Sequence, residues 1–520
     1  MRYGPEAALV GRCADAEHPA TVNTKSDVGA FRDPDRSFCF LASVPACAAC
    51  DAVIRSALRR KRTKGNSVNL HKMLLEREAA GRPVTVGVVG AGKFGTMFLA
   101  QARTTHGLHV VAVADLNVSR ARSQLKMASW PDAQYGATSL DDAAKTGRTF
   151  LTDDAEAMIA FPGIEVVVEA TGDPTTGIRL CLSAIRNGKH IVMVNVEADA
   201  VAGPLLARRA KEAGVVYSLA WGDQPALVCE HVDWARAAGF TVVAAGKGTR
   251  YHPTYHHSTP DTVWGILDQY MKFKDEDRGS INPKMFNSFV DGTKSGIEMT
   301  AICNATGLHA QRDGLSFPPA TRFELAQVCK PRSAGGTLEK AGVTEVVSSV
   351  YRDGSDVPHN LVMGTYVVFE PSEDNDYSRR CFREYSMLPD ADARYAALYR
   401  PIHMIGLELG ISVASAALRK EATGAPICFN SDVIATAKRD LKRGEMLDGE
   451  GGFCVWGKQT PADVSLEQGF LPLGLAHNVP LRADVREGER LKWSDVQIDE
   501  TDLAVRTRRE MESAFARPST

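Results

Sequence analysis

Three glycines, Gly90, Gly92 and Gly95, stand in GAGKFG, directly after the apolar run VTVGVVG and before the helical pattern TMFLAQARTT. A G-x-G-x-x-G turn in that setting serves a pyrophosphate: Gly90 permits the tight turn, Gly92 lets the backbone approach the ligand, and Gly95 lets helix and strand close together. The amides of Gly90, Ala91, Gly92, Lys93, Phe94 and Gly95, with the positive end of the helix, then hold the anion. Asp115 closes the next apolar run, where a carboxylate accepts ribose hydroxyls and favours NAD. Arg120 and Arg122 suit either a 2′-phosphate, which favours NADP, or a solvated helix face. The expected cofactor is therefore NADP or NAD.

A second set of residues suits proton chemistry. In VVAAGKGTRYHPTYHHSTPDTVW, Lys247 is expected to follow a strand and, between Gly246 and Gly248, to reach a phosphate or carbonyl. In FNSFVDGTKSGIEM, Asp291, Lys294 and Glu298 fall on one face if a helix begins near Asp291. A lysine held beside a carboxylate can protonate or polarise an alkoxide as it forms. The same spacing also fits an N-capping aspartate and an ordinary i,i+4 ion pair, so both readings stay open. His252, His256 and His257 have only Asp261 close in sequence, and Glu197 with Asp199 make a poor acidic ligand pair, so no metal is predicted. The histidines are read as a polar lid, and Asp223 and Gln224 as the cap of the helix that Pro225 opens.

These residues need elements to position them. VTVGVVG, LHVVAVAD, IEVVVEATG, HIVMVNV and VVYSLAW are short, β-branched and bounded by turns, as buried parallel strands are. They predict a doubly wound α/β Rossmann domain over 68–224, whose strand ends would bring Thr171, Gly172, Asn195 and Glu197 to the nicotinamide half of the site. An α+β substrate and dimerisation domain is expected over 225–400, and a linking helix (PIHMIGLELGISVASAAL) with a small β-rich module over 401–520. Residues 1–67 lack periodicity and end in the basic stretch Arg55 to Lys64, which reads as a disordered extension.

Composition narrows the class. The 61 basic and 63 acidic residues among 520 nearly cancel, which argues against nucleic acid or an acidic membrane surface as partner. No apolar run approaches the ~18 residues of a membrane span. Eleven scattered cysteines, with Cys47 and Cys50 the one close pair, fit a reduced cytoplasmic setting. A homodimer is the base-rate expectation.

With GAGKFG, EATG and AIRNGKHIV followed by Asn195, the nucleotide region resembles that of the homoserine dehydrogenase superfamily. Homoserine dehydrogenases usually read Asn-Lys at that strand end, and here Val196 follows Asn195. With GKGT and DGTKS in the insert, and the phrases VIATAKRDLKRGEMLDGEG and LRADVREGERLKWSDVQID beyond it, residues 68–510 resemble a homoserine dehydrogenase-like branch with a C-terminal SAF domain. That branch includes enzymes similar to a deoxyxylulose phosphate reductoisomerase. The resemblance implies an NAD(P)-dependent oxidoreductase acting on a small hydroxy or keto substrate, a sugar or sugar phosphate. The alternatives are a homoserine dehydrogenase-type hydroxy amino acid dehydrogenase and a non-catalytic dinucleotide sensor whose SAF module binds a partner.

Overall fold

The computed structural model describes residues 69–269 and 282–516. The expectations for residues 1–67, including Cys47, Cys50 and the basic stretch, lie outside the described residues, as do residues 270–281 of the histidine-containing insert.

Six parallel strands form the first sheet: β1 (Val84–Val89), β2 (Leu108–Ala114), β3 (Phe150–Thr152), β4 (Val166–Glu169), β5 (His190–Met193) and β6 (Tyr217–Leu219), in the order β3-β2-β1-β4-β5-β6. Alternate residues face opposite layers. Val166 and Val168 join the core that holds Phe98 and Leu99, while Val167 joins the core that holds Ile178 and Leu206. Both faces are therefore buried, which is why these strands read as continuous apolar runs. This is the doubly wound sheet that the sequence predicts. Strand β3 was not foreseen, because three residues at a sheet edge are too short to show a period.

The second sheet is mixed. It contains β7 (Phe240–Thr249), β8 (Val343–Ser348), β9 (Thr365–Pro371) and β10 (Ala396–Arg400), in the order β10-β9-β7-β8, with only the β7–β8 pair parallel. Beyond it, β11 (Ser431–Ala437) pairs with β13 (Val455–Pro461), and β12 (Met446–Asp448) pairs with β14 (His477–Pro480).

The chain then turns into a helix, Leu503–Phe515, that the sequence reading did not separate from the β module. This helix returns to the nucleotide region through Arg508, which is fully buried. Arg508 donates to Asp432 Oδ2 at 2.6 Å, to Val201 O at 3.2 Å and to Glu512 Oε1 at 2.9 Å. Val201, Ile297, Val433, Leu471 and Val505 belong to one apolar core, so the C-terminal strands and helix share an interior with the nucleotide sheet.

At the centre lies the helix Thr293–Thr306. Twelve of its fourteen residues are buried, with apolar side chains all round it, as befits a helix enclosed on every side. The helix expected over residues 401–418 is mostly absent. Residues 410–414 are α-helical, 415–419 form a π turn, and the stretch before them is irregular. Gly406, at φ +81°, lies so close to Met97 Cβ and Phe94 O that no helical residue with a side chain would fit there.

Arg508→Met leaves Asp432 buried with its ion-pair partner gone. Chemical denaturation is expected to show a loss of about 3–5 kcal/mol, the usual size for breaking a buried pair from one side.

Candidate active site

The glycine turn is built as its spacing requires. Gly90 adopts φ +95°, a Cβ on it would strike the Ala170 backbone, and a Cβ on Gly95 would strike the Gly90 carbonyl oxygen. Gly92 differs, because nothing lies within 4 Å of where its Cβ would stand. That open space, at the N-cap of the helix Lys93–Ala102, fits the pyrophosphate of a dinucleotide. Phe94 is half-buried at the turn, and Lys93 places its Nζ 5.0 Å from the centroid of the Phe286 ring, so the insert closes against the turn. Burial pulls the Lys93 ammonium below its usual pKa.

Asp115 lies beside the turn with both oxygens engaged. It accepts from Ala91 N (2.9 Å), Asn117 N (2.9 Å) and Arg120 Nη2 (2.8 Å). Burial alone would raise its pKa, but the bonds from Arg120 and the two amides outweigh that and hold it down. The Arg120 side chain is 55% exposed. Arg122 stands over the Tyr135 ring, 5.5 Å from its centroid.

At the carboxyl end of β4, Thr171 donates to Glu169 Oε1 through both its amide (3.0 Å) and its hydroxyl (2.5 Å), and Gly172 has φ +75°. Asn195 does not end a strand. It caps the helix Val196–Glu212 by accepting from Ala198 N at 3.0 Å, while its Nδ2 donates to Asp173 O at 2.8 Å and to Thr171 Oγ1 at 3.3 Å. It therefore ties the ends of β4 and β5 together from a buried position.

Two lysine–carboxylate pairs meet on the central helix. Glu298 pairs with Lys247, and Lys294, one turn earlier, pairs with Glu197 from the helix that Asn195 caps. Lys247 does not follow β7 but lies within it. Gly246 and Gly248 beside it have no Cβ because the Glu345 and Leu361 carbonyl oxygens approach there. Lys247 and Glu298 are nearly inaccessible, with side chains 6% and 3% exposed. Desolvation opposes the charge of Lys294, but Glu197, Glu450, Glu298 and Asp223 together push its pKa well above the lysine range. Burial, then the charge of Glu298, pushes Asp223 up to about 7. Burial, then Glu197, pushes Glu450 up to about 8.

Asp291 does not join this face. The helix begins at Thr293, with Gly292 at φ +92° as its cap, and this turns the Asp291 side chain away to an ion pair with Lys438 Nζ at 2.8 Å. Lys438 also donates to Ser258 O and Gly452 O, at 2.7 and 2.8 Å. The histidines hold the insert in place. His256 bonds Tyr251 OH and Asp291 O, both at 2.7 Å, and stacks on Trp456 with centroids 3.7 Å apart. His257 meets Lys438 O, and His252 meets Arg352 O. Among the described residues no three His, Cys, Asp or Glu side chains converge as metal ligands.

The sequence reading missed Glu450 and also His403, whose Nε2 lies 3.1 Å from the side-chain amide of Gln224 beside Asp223 and Glu298, and it left Glu197 out of its catalytic set. None of the three carries a local motif, and each reaches the cluster only through tertiary packing.

Residues 86–219 match the family model of the homoserine dehydrogenase NAD binding domain, and residues 222–409 match that of the oxidoreductase DRL catalytic domain. The homoserine dehydrogenase of Pseudomonas aeruginosa is 39% identical over 84 residues, 16% of this chain and 19% of that protein. That of Methylobacillus glycogenes is 30% identical over 123 residues, 22% of this chain and 25% of that protein. The chain thus spans a quarter or less of these curated relatives. Among solved structures, a homoserine dehydrogenase from Thiobacillus denitrificans is 20% identical, with a TM-score of 0.31, over 44% of this chain and 50% of that one. A probable dehydrogenase from Thermotoga maritima is 11% identical, with a TM-score of 0.29, over 56% and 73%. The match over residues 86–219 supports use of NAD or NADP by the nucleotide region.

Two predictions follow from this geometry. Gly92→Ala is expected to keep the melting temperature but lose dinucleotide affinity in a fluorescence titration, whereas Gly95→Ala is expected to lower both. Burial pushes Asp199 up to about 7 although Tyr217 OH donates to it at 2.7 Å. The folded protein therefore keeps a proton that the unfolded chain sheds near pH 4, and stability falls as pH rises from about 4 to about 7. Asp199→Asn keeps the acceptor for Tyr217 and should make that decline shallower in melts across this range.

Proposed function

We propose that the chain is an NAD(P)-dependent oxidoreductase acting on a small hydroxy or keto substrate, a sugar or sugar phosphate. The observation that carries this reading is the convergence of two buried ammonium groups, Lys247 and Lys294, on one helix beside the end of β5. When bound, the dinucleotide supplies or accepts hydride. Gly90, Ala91, Gly92, Lys93, Phe94 and Gly95 hold its phosphates, and Asp115 braces the turn from behind. Thr171, Gly172 and Asn195 shape the far half of its site.

Lys247 and Lys294 protonate or polarise the substrate oxygen as negative charge develops on it. Glu298 and Glu197 hold the two ammonium groups in place through their ion pairs. Asp291, locked to Lys438, braces the start of the central helix rather than meeting substrate. A non-catalytic sensor has no use for buried lysines placed in this way.

The match to the oxidoreductase DRL catalytic domain, together with the GKGT and DGTKS phrases, supports the reductoisomerase-like branch with an SAF domain at 401–520. The homoserine alternative draws on the curated relatives. Against it, the position where those enzymes usually carry lysine is Val196, which is buried and apolar. The reading keeps three parts, 68–224 for the dinucleotide, 225–400 for substrate and 401–520 as a closing module, in a cytoplasmic homodimer.

Keto-sugar phosphates, polyol phosphates and homoserine, screened with both cofactors and with and without magnesium, should show nicotinamide absorbance changes for the phosphates first. Lys247→Met and Lys294→Met should each lower kcat by about 10²–10⁴-fold while leaving dinucleotide affinity unchanged. Unaltered turnover in both variants would remove the catalytic assignment.

A further inference from the structure

The C-terminal module reaches the lysine cluster with a carboxyl group of its own. Glu450 stands in the loop after β12, between Gly449 at φ +71° and Gly451 at φ +65°. A helix of the insert, Pro283–Val290, clamps that loop from one side. Asn287 Nδ2 donates to Gly451 O at 3.0 Å, Lys284 Nζ donates to Asp448 O, and a Cβ on Gly451 would strike the Lys284 carbonyl oxygen. On the other side Lys438 Nζ donates to Gly452 O at 2.8 Å, and the Asp448 carboxylate accepts from Cys454 N at 3.0 Å. With its backbone fixed in this way, Glu450 faces Lys294 and Glu197.

The two acids beside Lys294 are held differently. Glu197 makes the direct ion pair, which fixes its charge. Glu450 is partly exposed and is bonded by the Ser288 hydroxyl, whose oxygen also lies 2.8 Å from Met285 O. A hydroxyl both donates and accepts. When Glu450 is ionised, Ser288 donates to it; when Glu450 carries a proton, Ser288 accepts that proton and turns its own to Met285 O. Both states are fully bonded, and they differ by one proton.

We propose that Glu450 passes protons between Lys294 and solvent, so that the C-terminal module completes the proton path of the site. The proposal rests on the catalytic reading of Lys294 given above. Glu450 acts through Lys294 and does not meet substrate. Reducing a keto group adds hydride at carbon and a proton at oxygen. When Lys294 gives that proton, substrate covers the amine left behind, and Glu450 restores it: its O–H bond breaks, an N–H bond forms, and water returns a proton to the carboxylate. Oxidation runs the same path in reverse. Burial, then the charge of Glu197, holds Glu450 at about 8, so its acid form is present near neutral pH. The other charged groups around it are already committed, Glu197 to Lys294, Asp291 to Lys438 and Lys284 to Asp448 O.

Nitrogen NMR of lysine-labelled full-length protein tests this without substrate or cofactor, by the exchange of the Lys294 ammonium protons with water. The signal is assigned from Lys294→Arg. In the wild type, exchange should rise with pH and level off near 8, where Glu450 is fully able to accept. Glu450→Gln should slow exchange by about 10²-fold and remove the levelling, and added formate should restore exchange in Glu450→Ala. Ser288→Ala, which removes the bond that favours the ionised acid, should move the levelling to higher pH. Unchanged or faster exchange in Glu450→Gln, as a loop that merely shields Lys294 would give, overturns the proposal, and so does an unmoved profile in Ser288→Ala. If Glu450→Gln slows exchange while Lys294→Met turns over normally, the proton path stands and the catalytic reading falls.

Discussion

A helix buried on every side can carry charge only where a partner meets it. Thr293–Thr306 is such a helix, and Lys294 and Glu298 are its two ionised side chains. An unpaired ion in that interior would cost several kcal/mol, so Glu197 and Lys247 must arrive from different elements with little freedom of placement. One comes from the helix after β5 and the other from the middle of β7. The pairs therefore fix how the nucleotide sheet, the mixed sheet and the central helix meet. The same constraint brings two ammonium groups to adjacent turns of one helix.

The C-terminal strands complete the enclosure. Thr293 Oγ1 accepts from Gly457 N at 2.8 Å, the Asn304 side-chain oxygen accepts from Asn430 N and Ser431 N at 2.8 and 3.0 Å, and Lys438 neutralises Asp291. Without this layer the polar groups along one side of the helix would lose their partners, and a buried polar group without a partner is costly. The helix Leu503–Phe515 secures the layer through Arg508 and Asp432, 76 positions apart in sequence. This gives the module a structural task at the site.

Local signals were readable in proportion to how local their physics is. The glycine turn rests on one strand, one turn and one helix start, so its residues and spacing suffice to place it. Lys247 and Lys294 stand out because glycines flank the one and an acidic, glycine-containing turn precedes the other. Asp291 misled because a three- and four-residue spacing implies a shared helical face only once the first helical residue is known. Gly292, with its left-handed backbone, moves that start two residues on. The helix expected over 401–418 failed for a similar reason, since the close approach of Gly406 to Phe94 and Met97 overrides the apolar periodicity there.

From the order of residues alone came the parallel sheet and the glycine turn, because each depends on hydrophobic period or backbone freedom within a short stretch. Long-range packing settled which carboxylate each lysine meets, which acids keep their protons and where Gln224 and His403 belong. Ion pairing and desolvation depend on distances between segments far apart in the chain, and no spacing along the chain encodes those distances directly.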